Sequence, residues 1–300
     1  MNFSKLLLQY LQSIGIKRIF GIVGREGEVI SFNEVPGLDF ILTRHEMTAG
    51  LAAIAVSRFT KTPQVCFGTL GPGITHYMTA IATASLDRYP LIVIVAQLET
   101  SSINHNNAHQ CLDNVRIAEP LCKFVKEISR PFEIKKALEA AVEASMTLPY
   151  GPSVISIPID ILSGDATKIS EKYGTRLNKR VLSGKKIGSK IDRITIKKIV
   201  SIIKKSEKNL IVVGDAAVKI KGVPALIKKL SEQTNIPVIS TYSAKGVMSH
   251  SGKLNFGVIN SYMNVITEQK AIEAIFNDVD NLILNWLRPL GTLSVCLDQG

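Results

Sequence analysis

Three short stretches of the chain hold side chains that could do chemistry. The first is Thr43-Arg44-His45-Glu46, where the apolar run Phe40-Ile41-Leu42 gives way to three ionisable residues. A strand that ends in this way carries a carboxylate, the residue type for proton transfer, into a site. The plainer reading of Glu46 is an acid in the first turn of a helix, favoured there by the helix dipole. The second stretch is Gly68-Thr69-Leu70-Gly71-Pro72-Gly73, whose glycines let backbone approach a ligand before a helix opens at Ile74-Thr75-His76. Free N–H groups converging at such a helix start point to phosphate, yet there is neither a G-x-G-x-x-G fingerprint nor a P-loop lysine. The third is the polar stretch 97–119, with His105, His109, Gln110, Asp113 and Arg116. A histidine in such a loop is ordinarily a surface residue. His105 and His109 could share a metal only on a helix, and Asn106-Asn107 between them argues against one, so no metal ligand is assigned.

The elements that must position these residues alternate in type. Phe3, Leu6, Leu7, Tyr10, Leu11 and Ile14 form one helical stripe, broken by Ser4, Lys5, Gln9 and Gln12. That is a packing face, neither a signal segment nor a membrane span. Strands are predicted over 18–23, 38–43, 64–68, 91–96 and 153–158, and helices over 28–33, 46–60, 74–87 and 131–148. The run 38–43 reads as a buried strand. Met47, Leu51, Ile54, Ala55 and Phe59 recur at helical spacing after it, while Ala49, Gly50, Ala52 and Ala53 leave one side thin enough for another element to approach. Alternation of this kind implies a parallel sheet covered on both faces, with a ligand crevice beyond the carboxyl ends of its strands, where Glu46 and Gly71-Pro72-Gly73 fall.

From 163 to 190 the chain turns to Gly, Ser, Thr, Lys and Asn and reads as a linker. A second alternation follows, with helices over 192–205, 223–234 and 272–276 and strands over 209–213, 237–241 and 281–284. The fold class is therefore α/β, with two doubly wound, mainly parallel-sheet domains. Residues 1–162 form the first, 163–190 the linker, 191–285 a partial, Rossmann-like second domain and 286–300 an atypical tail.

With 300 residues, 46 % of them hydrophobic, the chain can bury two cores. Its net charge of +11 comes largely from lysine pairs after Lys168, such as Lys197-Lys198 and Lys204-Lys205. With few aromatics interleaved these are solvated helix faces, which argues against a nucleic-acid surface. Cys66, Cys111, Cys122 and Cys296 form no C-x-x-C pair, and Cys66 falls in a core strand. Both facts suit a reducing cytoplasm better than a disulfide framework. No apolar run reaches the length of a membrane span.

Taken together, Arg44-His45-Glu46, Thr69-Leu70-Gly71-Pro72-Gly73 and Ser85-Leu86-Asp87-Arg88-Tyr89-Pro90 resemble the pyrimidine-binding domain of thiamine diphosphate enzymes. The resemblance covers roughly 3–162 and continues more loosely through the family's middle domain, to about 284. Within this acetolactate synthase-like superfamily the pattern is most like N2-(2-carboxyethyl)arginine synthase, in Gly21-Ile22-Val23-Gly24-Arg25-Glu26, in Asp39 to Glu46 and in His109-Gln110-Cys111-Leu112-Asp113. It implies thiamine diphosphate as cofactor. Glu46 would activate the aminopyrimidine, with Gly24, Thr69, Gly71, Pro72, Gly73 and His76 around the cofactor. His109 and Gln110 would act over the reacting carbon. The resemblance further implies a homodimer or higher oligomer. In the family, magnesium and the diphosphate are held by a third domain through a Gly-Asp-Gly motif, and no such motif occurs in this sequence. Gly164-Asp165-Ala166 and Gly214-Asp215-Ala216 lack its second glycine. The chain is thus expected to be about half of such an enzyme, inactive alone, as a truncated product or a partner of a separate diphosphate-binding subunit. The alternatives are an acetolactate synthase-like or 2-oxo acid decarboxylating enzyme, or a non-catalytic partner subunit.

Overall fold

The structure, a computed structural model, describes residues 1–24, 30, 32–103, 109–185, 192–220, 222–259 and 274–285. The chain divides into two units, Met1–Gly188 and Ser189–Gly300. His105, most of the helix expected over 28–33, the start of the one expected over 272–276 and the tail 286–300 lie outside the described residues.

In the first unit, α1 (Phe3–Ser13), β1 (Arg18–Gly21), β2 (Asp39–Leu42), α2 (Glu46–Thr60), β3 (Gln64–Gly68), α3 (Pro72–Leu86) and β4 (Leu91–Gln97) follow one another. Then come α4 (Asn114–Ala118), β5 (Phe124–Glu127), α5 (Ile134–Met146), β6 (Pro152–Pro158), α6 (Ile159–Ser163) and α7 (Thr167–Tyr173). The six strands are all parallel, in the order β2-β1-β3-β4-β6-β5. Strands β3, β4 and β6 are buried at every position, as a parallel sheet covered on both faces requires. One face packs on α1 and α5 through residues such as Phe3, Leu7, Leu11, Leu138 and Val142. The other packs on α2 and α3 through Ala49, Ala53, Tyr77, Ala80 and Ala84.

Two expectations are corrected here. The run 38–43 is not a buried strand. Its strand, β2, lies at the sheet edge, where Leu42 is 69 % exposed and Ile41 also faces outward. Nor is all of 163–190 a linker. Its isolated apolar residues are anchors: Leu177 is buried in the first core, and Ile169, Val181 and Leu182 pack against it. Burying a leucine side chain contributes about 2 kcal/mol, enough to hold a polar segment down. Within that segment Asp165 accepts from the Thr167 N–H at 3.1 Å and hydroxyl at 2.6 Å, so Gly164-Asp165-Ala166 is a turn. The edge strand β5 was not foreseen. It is four residues long and half-buried throughout, and so carries little periodicity.

The second unit contains α8 (Arg193–Lys205), β7 (Asn209–Val213), α9 (Asp215–Lys219), α10 (Val223–Thr234), β8 (Val238–Thr241), β9 (Asn255–Ile259) and β10 (Asn281–Asn285). Its four strands are parallel in the order β10-β7-β8-β9. Strand β9 escaped the sequence reading because it pairs across a register irregularity and contains Gly257 at φ +96°. Asp215 and Lys219 form a buried ion pair at 2.8 Å, one helical turn apart. Among the described residues no helix is long and apolar enough to cross a membrane.

Helices α2 and α3 nearly touch. A methyl group on Gly50 would lie 2.3 Å from the Ala80 methyl. Gly50→Ala should therefore destabilise the first unit. Overpacking costs about 1–3 kcal/mol, which outweighs the roughly 1 kcal/mol gained in helix propensity. Adding Ala80→Gly should relieve the clash, so denaturant unfolding of the two single variants and the double variant should reveal a favourable coupling. Additive effects would show that the helices are free to move apart.

Candidate functional site

Helix α2 begins where the ionisable run begins. His45 is its N-cap, in extended conformation, and its Nδ1 accepts the Met47 N–H at 3.1 Å. That leaves Glu46 in the first turn, where the helix dipole favours a carboxylate. The residue is 5 % exposed, and a buried carboxylate needs a partner. His76 of α3 provides one: its Nδ1 and Glu46 Oε2 share a hydrogen bond 3.0 Å long. The His76 ring also stacks on that of His45, with centroids 4.8 Å apart and planes at 29°. Among the described residues His76 is the hydrogen-bond partner of Glu46, through Oε2.

The helix–helix register explains the pairing. Glu46 lies one turn before Gly50, and His76 one turn before Ala80. The close approach at Gly50 and Ala80 thus sets the spacing of the polar pair above it. Tyr77 fixes α3 from below by donating to the Phe67 carbonyl at 2.8 Å and more weakly to that of Phe20 at 3.4 Å. Burial pushes the Tyr77 hydroxyl far above its ordinary range, so it remains a donor.

The glycine turn lies at the other end of the same helix segment. Gly71 is the N-cap of α3 at φ +63°, ψ −103°, a conformation that side chains resist, and Pro72 follows at the first helical position. A β-carbon on Gly71 would meet Gln110, whose Cβ lies 2.7 Å and carbonyl oxygen 2.8 Å from that point. One on Gly73 would meet the Thr69 hydroxyl at 3.4 Å. The turn is thus a cradle without side chains, lined by Thr69 and closed on one side by Gln110. His109 is exposed beside it in sequence, and Gly24 lies partly exposed three residues past β1.

The structure therefore brings Glu46 and His76 into contact and sets Gln110 on the Gly71 turn, with Thr69 against Gly73. Among the described residues no such contact involves His109 or Gly24. Sequence reasoning singled out Glu46 and His76 separately but left His45 aside, although three ionisable residues in a row were a signal for it. Of the stretch 97–119, which it read as irregular, the described ends are tied down by buried groups. Gln97, at the end of β4, donates to the Leu112 carbonyl at 2.9 Å, and Asn114 donates to the Ser156 hydroxyl at 3.0 Å. The Ser156 hydroxyl in turn donates to Glu127 at 3.2 Å.

Gly71→Ala tests the cradle. Holding alanine in that backbone conformation costs about 1–3 kcal/mol, and its methyl group would displace Gln110. Thermal unfolding should show lost stability, and amide exchange should speed up around residue 110. A variant as stable as the parent, with the same exchange, would mean that the turn relaxes freely.

Comparisons with known proteins point in one direction. Residues 1–117 match the family model described as thiamine pyrophosphate enzyme, N-terminal TPP binding domain, and residues 196–284 match the one described as its central domain. The chain is 32 % identical over 265 residues to a probable acetolactate synthase large subunit of Methanocaldococcus jannaschii, covering 87 % of this chain and 44 % of that protein. It is 28 % identical over 266 residues to the acetolactate synthase isozyme 3 large subunit of Escherichia coli, covering 87 % and 45 %. It is 30 % identical over 288 residues to the 2-hydroxyacyl-CoA lyase of Saccharomyces cerevisiae, covering 95 % and 49 %. The chain spans just under half the length of each.

Proposed function

The chain belongs to the thiamine pyrophosphate enzymes, of which it carries the N-terminal and central domains, and from that premise we propose that it is the pyrimidine-binding part of an acetolactate synthase-like enzyme. The reaction would join carbon to carbon after decarboxylation of a 2-oxo acid. The relatives named as acetolactate synthases support this reading over carboxyethylarginine synthase. The observation that carries it is Glu46, a buried carboxyl with one oxygen on His76, held against the helix that the glycine turn opens.

When bound, thiamine diphosphate supplies a thiazolium carbon whose proton is removed with help from its own aminopyrimidine. The donor set fits a pyrimidine ring. Glu46 Oε1 would hold a proton toward a ring nitrogen, while Oε2 accepts from His76. Thr69, Gly71, Pro72 and Gly73 would border the ring, since a backbone without side chains lets a planar group approach closely, and Gly24 would lie at the rim. Gln110, packed on Gly71, and the exposed His109 would hold or move protons on the substrate. Magnesium prefers oxygen ligands, so the diphosphate and its metal are assigned to a third domain from a neighbouring subunit. That neighbour would cover the exposed stripe Leu51, Ala55 and Phe59 on α2, where Phe59 is 83 % exposed. A carboxyethylarginine synthase reading rests on the stretch His109-Gln110-Cys111-Leu112-Asp113, whose Asp113 caps α4.

Two experiments test the assignment. Titrating 4-amino-5-hydroxymethyl-2-methylpyrimidine, the pyrimidine half of the cofactor, onto the chain and following it by saturation-transfer NMR should show binding. Glu46→Ala should weaken it by roughly tenfold or more, as loss of a hydrogen bond to a charged group does. Equal binding by parent and variant would reduce Glu46 to a helix-start acid. In the cofactor-loaded enzyme, alanine at His109 or Gln110 should slow turnover more than deuterium exchange at the thiazolium carbon, whereas Glu46→Gln should slow both. Equal losses for the His109 and Gln110 variants would make those residues structural.

A further inference from the structure

The polar pair at the start of α2 has a third member. His45, Glu46 and His76 each present a ligand atom, and those atoms all lie within 4.8 Å of one another. We propose that the three residues form a binding site for a transition-metal ion of the zinc type, and that its occupation excludes the pyrimidine ring from Glu46. The second half of this proposal rests on the function assigned above, whereas the first does not.

The chemistry of the donors selects the ion. Two imidazoles and one carboxylate suit zinc, cobalt or nickel, whereas magnesium and calcium take oxygen ligands. Three protein ligands leave a fourth position for water, and this site is open on that side, because His45 and His76 are exposed while Glu46 is buried. The separation of Glu46 Oε2 and His76 Nδ1, 3.0 Å, is close to the roughly 3.3 Å that tetrahedral bonds of about 2 Å impose. A metal ion would therefore replace the proton that these two atoms share. The His45 ring, exposed and already stacked on His76, has to turn to complete the set. The ion and its water would then stand on the open side of the Glu46 carboxyl, where the ring would have to lie. Metal and pyrimidine would thus compete for one side chain.

The purified chain can be tested as it is. Titration calorimetry with zinc chloride should show one ion per chain at micromolar affinity, with magnesium giving no comparable heat. His45→Ala, His76→Ala and Glu46→Gln should each weaken zinc binding at least tenfold while circular dichroism stays unchanged. With cobalt the absorption should show ligand-field bands and no thiolate charge transfer, which separates this site from Cys111 or Cys122. Zinc added to the pyrimidine titration should displace the ring. Zinc affinity unchanged in both histidine variants, or a thiolate signature with cobalt, would overturn the site. Zinc that binds at the three residues yet leaves pyrimidine affinity untouched would overturn the competition. Because the pyrimidine is also titrated without metal, failure of the zinc site leaves the proposed function standing or falling on its own data.

Discussion

The close approach of α2 to α3 is the constraint on which the first unit depends. Helix α2 follows β2 and α3 follows β3, and both cover the same face of the sheet. Ordinary side chains would keep their axes 8–10 Å apart. Gly50 and Ala80 bring them closer, and the buried alanines Ala49, Ala53 and Ala84 continue the thin seam. That closeness lets a short side chain at the start of one helix reach a ring in the second turn of the other. The glycine is there for the contact it permits, since nothing else about a helix interior favours it.

Polar groups collect where the strands end. The middle of the sheet is largely apolar, and several polar groups beyond it are tied down by hydrogen bonds. Glu46 is held by His76, Gln97 by the Leu112 carbonyl, and Ser156 links Asn114 to Glu127. The loop that carries Gln110 is thus anchored at both ends of its described part, which allows one of its residues to lie against Gly71. The second unit repeats the strand and helix grammar, and its charged pair, Asp215 and Lys219, follows the carboxyl end of β7 in the same way.

Much of the architecture was legible from local signals. Helix α2 was read to its true limits because an ionisable run starts it and Lys61, at φ 57°, ends it before Thr62-Pro63. Strand β3 was equally clear as a short apolar run before glycine. Burial was harder. Ile41 and Leu42 look no different from Ile92 or Val93 in composition, and only the strand order reveals that β2 is at an edge. The candidate site was legible as residues but not as contacts. Glu46 and His76 are thirty positions apart, and their meeting depends on a helix register that periodicity does not specify. The contact of Gln110 with Gly71 depends on a loop path with no pattern at all. The segment 163–185 misled for the opposite reason, because a few apolar anchors in a polar stretch weigh little in composition and much in packing.

The shared register of α2 and α3 also determines which genetic changes the fold can absorb. Both helices place their functional residue one turn ahead of their contact residue, so the site tolerates substitution more readily than it tolerates a change of length. Adding or removing one residue between Glu46 and Gly50 would rotate the carboxylate by about 100° and move it about 1.5 Å along the axis. The seam would remain packed, and the carboxylate would face solvent. Lineages of this chain should therefore keep the interval from 46 to 50 equal to that from 76 to 80.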